Sequence, residues 1–166
     1  DSFQTRNASK KRIKKTTLTY LSTHNRMSRI LGIDFGSRRV GLALSDVTRT
    51  IASPLKFISY KSLPELLNNL KEIIADFEVS ELVVGYPIGM KGQMTRQTEE
   101  VDKFIENLRK QLNINVIPVD ERLTSVQSSR ILQEQGIKSS RNKGAVDMVS
   151  ASIILQSYLD ANQKND

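Results

Sequence analysis

The chain contains no cysteine, which removes disulfides and zinc–thiolate sites from consideration and leaves the compartment open. Histidine is nearly as scarce: His24 is the only one and lies in a polar N-terminal stretch. A histidine general base, a catalytic triad or a histidine zinc centre therefore has little to build on. No run approaches the ~18 consecutive apolar residues of a membrane span. Aromatic residues are only 5% of the chain, and Phe35 and Tyr86 alone fall near the acidic segments described below, so base stacking has weak support.

Net acidity is also missing, and the formal charge is +7 over 166 residues. That excess is local. Residues 1–26 carry Arg6, Lys10, Lys11, Arg12, Lys14, Lys15 and Arg26 against Asp1, a net of +6, whereas residues 27–166 hold 18 basic and 17 acidic side chains. The basic segment is rich in Ser, Thr and Asn without core-forming periodicity and is expected to be a disordered leader. Met27 is a candidate start of the folded domain, expected over residues 27–162. The leader then reads as upstream sequence in a cytoplasmic protein or as part of an organellar transit segment.

Three acidic residues stand where soluble domains seldom place them. Asp34 ends the apolar run Ile30–Ile33, Glu121 follows Val116–Val119 and Asp147 lies within the apolar stretch 145–159. Ionised carboxylates in apolar segments are costly unless compensated, and three that converge repel one another unless a cation lies between them. Oxygen-only ligation suits Mg²⁺ or Mn²⁺, held by carboxylates and substrate phosphates. The residues therefore point to metal-dependent chemistry on a phosphodiester.

The pattern predicts β-β-β-α-β-α-β-α-α. Residues 29–34 and 39–45 form a hairpin turned at Gly36–Arg38, and 51–58 form a third strand placed at an edge by Pro54. Leu63, Leu66, Leu67, Leu70, Ile73, Ile74 and Phe77 follow helical spacing, with Pro64 in the first turn. Residues 81–85 are a strand, Val101 to Leu112 a helix, 114–120 the last strand, and 124–135 and 145–159 helices. This order predicts an α/β fold with a five-stranded mixed sheet, three strands antiparallel and the later ones parallel, with helices on both faces.

The blocks Arg29–Asp46, Val84–Pro87, Asp120–Thr124, Lys143–Asp147 and Ile153–Leu159, in that order, resemble the YqgF/RuvX family. The resemblance implies an RNase H-like fold related to Holliday junction resolvases, and a nuclease that processes the 5′ end of pre-16S rRNA. Asp34, Glu121 and Asp147 then become the catalytic and metal-binding residues for Mg²⁺ or Mn²⁺. Successive strand residues face opposite sides, so only one of Asp120 and Glu121 can join Asp34, and the family pattern favours Glu121. Asp120 is left as a structural partner, with Arg122 or the following helix. Where the family often carries Ala-Glu after this motif, the chain has Ser128-Ser129, which puts occupancy by two metals in doubt.

Each of these residues also has a plainer role. Asp34 fits a turn, Thr124 a helix cap and Asp147 a helix start, while Gly32 and Gly41 fit close packing of neighbouring strands. Asp46 reads as a turn residue. Arg122 fits phosphate stabilisation and bracing of Glu121 equally. Lys138, Arg141 and Lys143 before the last helix, Lys91 and Arg96 in the Gly-rich loop 87–97, and Arg38 are candidate contacts to a nucleic-acid backbone, although a solvated charge run is the commoner meaning. The expected partners are pre-rRNA or structured DNA and ribosomal particles, with no membrane, and a monomer or weak homodimer. An RNA- or ribosome-binding factor on the same fold is the second reading. An actin-like ATPase is a distant third, because the chain is short for two nucleotide-clasping domains.

Overall fold

The computed structural model describes residues 28–123 and 142–164. The leader, the 124–135 helix with its Thr124 cap, Ser128-Ser129, Lys138 and Arg141 lie outside them. Strands β1 (Arg29–Phe35), β2 (Arg39–Ser45) and β3 (Ala52–Ser59) form an antiparallel meander. Helix α1 (Leu63–Asp76), strand β4 (Val79–Tyr86), helix α2 (Arg96–Gln111) and strand β5 (Asn115–Asp120) follow. A 3₁₀ turn, Glu121–Leu123, and helix α3 (Lys143–Gln163) complete the described elements. The sheet order is β3-β2-β1-β4-β5, with β1–β4 and β4–β5 parallel.

Strand alternation divides the core into two layers. Leu31, Ile33, Val40, Leu42, Leu82, Val84 and Val116 meet α1 through Leu66, Leu67, Leu70 and Ile73, and α2 through Val101, Phe104, Ile105 and Leu108. On the other face Ile30, Ala43 and Val83 meet Ala151, Ile154, Leu155 and Leu159 of α3. Helices on both faces explain why the central strands are apolar throughout rather than alternating. Pro54 and Pro118 fall in the two edge strands, where a missing N–H costs least and outward strand pairing is discouraged. Among the described residues no helix is long and apolar enough to cross a membrane.

Caps fix the helix starts and correct two expectations. The Ser62 hydroxyl accepts from Glu65 N–H and Pro64 lies in the first turn of α1. Helix α2 begins at Arg96, a turn earlier than Val101, because Thr95 and Thr98 form a reciprocal cap ahead of a polar first turn. Helix α3 begins at Lys143 rather than residue 145, since the Asn142 side chain accepts from Ala145 N–H. Asp147 consequently lies beyond the first turn and does not cap the helix.

Candidate active site at the end of the parallel strands

Asp34 projects from the central strand on the α3 face, since Ile30, Gly32 and Asp34 share one side of β1. Its partner across β2 is Gly41. On β4 the adjoining residue is Gly85, one beyond the Ile33–Val84 pair. Asp34 thus lies in a trough whose flanks lack side chains. The trough is filled from above. A Cβ on Gly41 would collide with the Asp147 carbonyl oxygen, so α3 lies directly on β2 there. A Cβ on Gly85 would collide with Glu121 Oε1, so that carboxylate reaches back from the end of β5 over β4. A Cβ on Gly32 would stand 2.7 Å from Leu155 Cβ. Gly32 and Gly41 therefore serve the docking of a helix rather than the packing of neighbouring strands, because alternation turns both toward α3.

The electrostatics follow from this crowding. Asp34 is pushed up to about 7, first by burial and then by the charges of Glu121 and Asp147. Burial, with Asp120 nearby, also raises Glu121. Asp120 faces away and is held below the usual carboxylate range by Arg122, whose Nη2 donates to Oδ2 at 2.7 Å and whose backbone N–H donates to Oδ1 at 2.9 Å. Of the two roles weighed for Arg122, the guanidinium braces a carboxylate, but that carboxylate is Asp120 rather than Glu121. Asp147 accepts from Arg39 Nε at 3.0 Å, both side chains being about one-third to one-quarter exposed.

Among the described residues no group of three or more Asp, Glu or His is closed into an ion cage. Asp147 is turned to Arg39 instead. The donor set nevertheless fits a hard divalent cation: it is all oxygen, and Asp34 carries a repulsion that a cation would relieve. A pH signature follows. The folded protein without metal holds a proton on Asp34 that the unfolded chain releases near pH 4, so this stability is complete below about pH 4 and is lost as pH rises through about 7. Each tenfold change in the proton affinity of Asp34 corresponds to about 1.4 kcal/mol, an upper bound for a carboxylate with some solvent access. Metal-free melting temperature is expected to fall between about pH 5 and pH 8, and Mg²⁺ to restore it most at the higher pH. Melts showing no pH slope and no Mg²⁺ effect would remove the coupling.

The candidate cations are placed unevenly. Arg38 is exposed on the β1–β2 turn, at the same end of the sheet as Asp34, and Lys143 is exposed at the start of α3. Lys91 is exposed in the 87–95 loop, whose Gly92 comes within 3.7 Å of Arg122 when given a Cβ. Arg96 forms an exposed i,i+4 pair with Glu100 at 3.3 Å, worth a few tenths of a kcal/mol at about the best. Asp46 is a turn residue, accepting from Ile51 N–H at 2.9 Å, from the Thr48 hydroxyl and from Thr50 N–H at 2.8 Å, and held down to about 2 by those bonds.

Both aromatics expected near the site are committed elsewhere. Phe35 stacks on Phe104 at 4.1 Å in the opposite layer, and Tyr86 packs into the same layer. Two residues at the site were not legible beforehand: Arg39, whose partner is 108 residues away, and Phe57, which stands opposite Gly41 on β3.

A five-stranded mixed sheet in the order β3-β2-β1-β4-β5 with helices on both faces is a RuvC-like RNase H fold. The fold matches RuvC of T. thermophilus in complex with a Holliday junction substrate at a TM-score of 0.54, with 12% identity over 82% of this chain and 96% of that one. The fowlpox virus resolvase in its junction complex gives 0.51 and 14%, covering 81% and 98%. A family model described as RuvX, Holliday junction resolvase, matches residues 28–161, and the chain belongs to that family. A relative from Ruminiclostridium cellulolyticum, described as a "putative pre-16S rRNA nuclease", is 45% identical over 80% of this chain and 94% of its own length. One from Caldanaerobacter subterraneus with the same description is 45% identical over 82% and 99%.

Proposed function

We propose that the chain is a metal-dependent nuclease that hydrolyses RNA phosphodiesters in 5′-end processing of pre-16S rRNA. The carrying observation is the glycine-flanked trough in which Asp34 meets the charges of Glu121 and Asp147, the three residues arriving from three separate elements. The relatives' description supplies the substrate. Asp34, Glu121 and Asp147 would hold Mg²⁺ or Mn²⁺. A divalent ion bound there supplies Lewis acidity toward the phosphoryl oxygens and lowers the pKa of attacking water. Glu121, half-buried with its proton affinity raised, would orient the attacking water. Lys143, Arg38 and Lys91 offer exposed charges to the strand backbone, with Lys138, Arg141, Arg96 and Arg122 as further contacts.

Arg39 acts through Asp147 as a positioning residue. Replacing it with Ala is expected to change stability by less than about 1 kcal/mol, as for other partly exposed pairs. The metal concentration for half-maximal cleavage should rise roughly 10–100-fold, the usual effect of losing a ligand's supporting partner. Arg39→Lys should recover only part, since an ammonium cannot reproduce the guanidinium geometry. Unchanged metal dependence in Arg39→Ala would make the pair purely structural.

The function is tested by incubating the full chain with a precursor 16S 5′ leader and with a four-way DNA junction, with and without Mn²⁺. Metal-dependent cleavage of the RNA is the expected result. Cleavage of the junction alone would move the substrate to branched DNA, as the family description names. Tight binding without cleavage of either would make the protein a binding factor.

A further inference from the structure

We infer that Phe57 is a stacking platform for an unpaired base of the bound strand, at the start of α3 and across that helix from the Asp34 trough; the inference rests on the nuclease reading above. Phe57 is 44% exposed, unusual for a phenylalanine in a sheet. Its position is fixed by register. Phe57 pairs with Gly41, and Gly41 with Asp34, so the three form one row across β3, β2 and β1 on the α3 face. Two strand spacings put the Phe57 backbone roughly 10 Å from that of Asp34. The middle member is glycine, and the α3 backbone at Asp147 lies over it, so the first turns of α3 stand between the ring and the Asp34 carboxylate.

The ring is also held in place. A Cβ on Gly144, in the first turn of α3, would collide with the Phe57 ring, so the ring rests on the backbone there while its remaining surface faces solvent. Lys143 is exposed next to this contact, and Arg39, paired with Ser59, lies one step along the same face. A fixed apolar ring beside the exposed charge of Lys143, with the carboxylate trough across the start of α3, matches a nucleotide, whose base is flat and apolar and whose phosphate is anionic. Merely covering Gly144 would not require a ring, since an aliphatic side chain would serve.

The chain has no tryptophan, so Phe57→Trp introduces a single reporter at this position. The full-length variant is titrated with single-stranded RNA of mixed sequence in EDTA, at salt high enough to suppress binding by the basic leader. Strong quenching that saturates with the anisotropy of labelled RNA is expected, and a blunt duplex should quench much less. Phe57→Leu keeps an apolar cover on Gly144 and should melt like the parent. It should bind the single strand roughly tenfold more weakly, equivalent to about 1.4 kcal/mol and within the range for one stacked base. Unquenched tryptophan at saturation, or Phe57→Leu binding as tightly as the parent, would overturn the platform. Because these readouts need no metal, they can fail while RNA cleavage stands, and cleavage can fail while they stand.

Discussion

Replacing Asp34 with Asn is expected to abolish metal-dependent cleavage while leaving a folded and more stable protein. Asn keeps the shape of the side chain but removes the charge at the centre of the trough. The loss should exceed the roughly 10–100-fold that follows removal of a ligand's supporting partner. Stability should move the other way. Asp34 is raised to about 7 by burial and by two neighbouring carboxylates, so at neutral pH its ionised form is a cost that Asn does not carry. The metal-free variant should therefore melt higher than the parent at about pH 8, and its melting temperature should no longer respond to Mg²⁺. Metal-free RNA binding should be kept or improved, because one charge repelling phosphate is gone. If Asp34 served only the turn, Asn would substitute with little effect on either property. Cleavage, binding and melting are measured on the same preparations, and unchanged cleavage in a folded Asp34→Asn protein would remove Asp34 from the catalytic site.

The three carboxylates were legible because their surroundings were wrong for them. A charged residue closing a run apolar on both faces has few structural explanations, and the hairpin, edge proline and α1 stripe each followed from local rules. What escaped depended on distance or on an irregularity. The first turn of α2 is polar, so hydrophobic periodicity began only at Val101, and the cap at Thr95 was the available signal. Arg39 looked like an ordinary strand residue because its partner arrives on α3, 108 residues on.

Phe57 was hidden by a register shift. Ala52 packs toward α3, and simple alternation from it would place Phe57 on the opposite face. The pairing instead jumps from Leu42–Lys56 to Ala43–Pro54, leaving Leu55 as an extra residue. The bulge reverses the faces: Ile58 enters the α1/α2 layer, and Phe57 joins the row of Asp34. Bulges beside active sites commonly re-aim a side chain in this way.

The glycines beside Asp34 yield the second large expected effect, and they should fail differently. At Gly41 the obstacle to a methyl group is backbone, namely the carbonyl group of Asp147 and the Met148 nitrogen at 2.8 Å. Backbone within a helix cannot rotate aside, so Gly41→Ala must lift α3 from the sheet. Among the described elements α3 alone covers the face carrying Ile30, Ala43 and Val83, and lifting it opens that layer. A loss of about 3 kcal/mol or more is expected, in the upper range for core overpacking. At Gly85 the obstacles are the ends of two side chains, Glu121 Oε1 and Ile154 Cδ1. Both can change rotamer, so Gly85→Ala should cost about 1–2 kcal/mol while expelling the Glu121 carboxylate from its place over β4. Thermal melting and cleavage measured together separate the two cases. Gly41→Ala should lose stability and activity in parallel, whereas Gly85→Ala should retain a cooperative melt and lose cleavage by tenfold or more, on the scale of a displaced general base. A Gly85→Ala protein that cleaves normally would show that Glu121 is not needed where the structure holds it, and would reduce the site to Asp34 and Asp147.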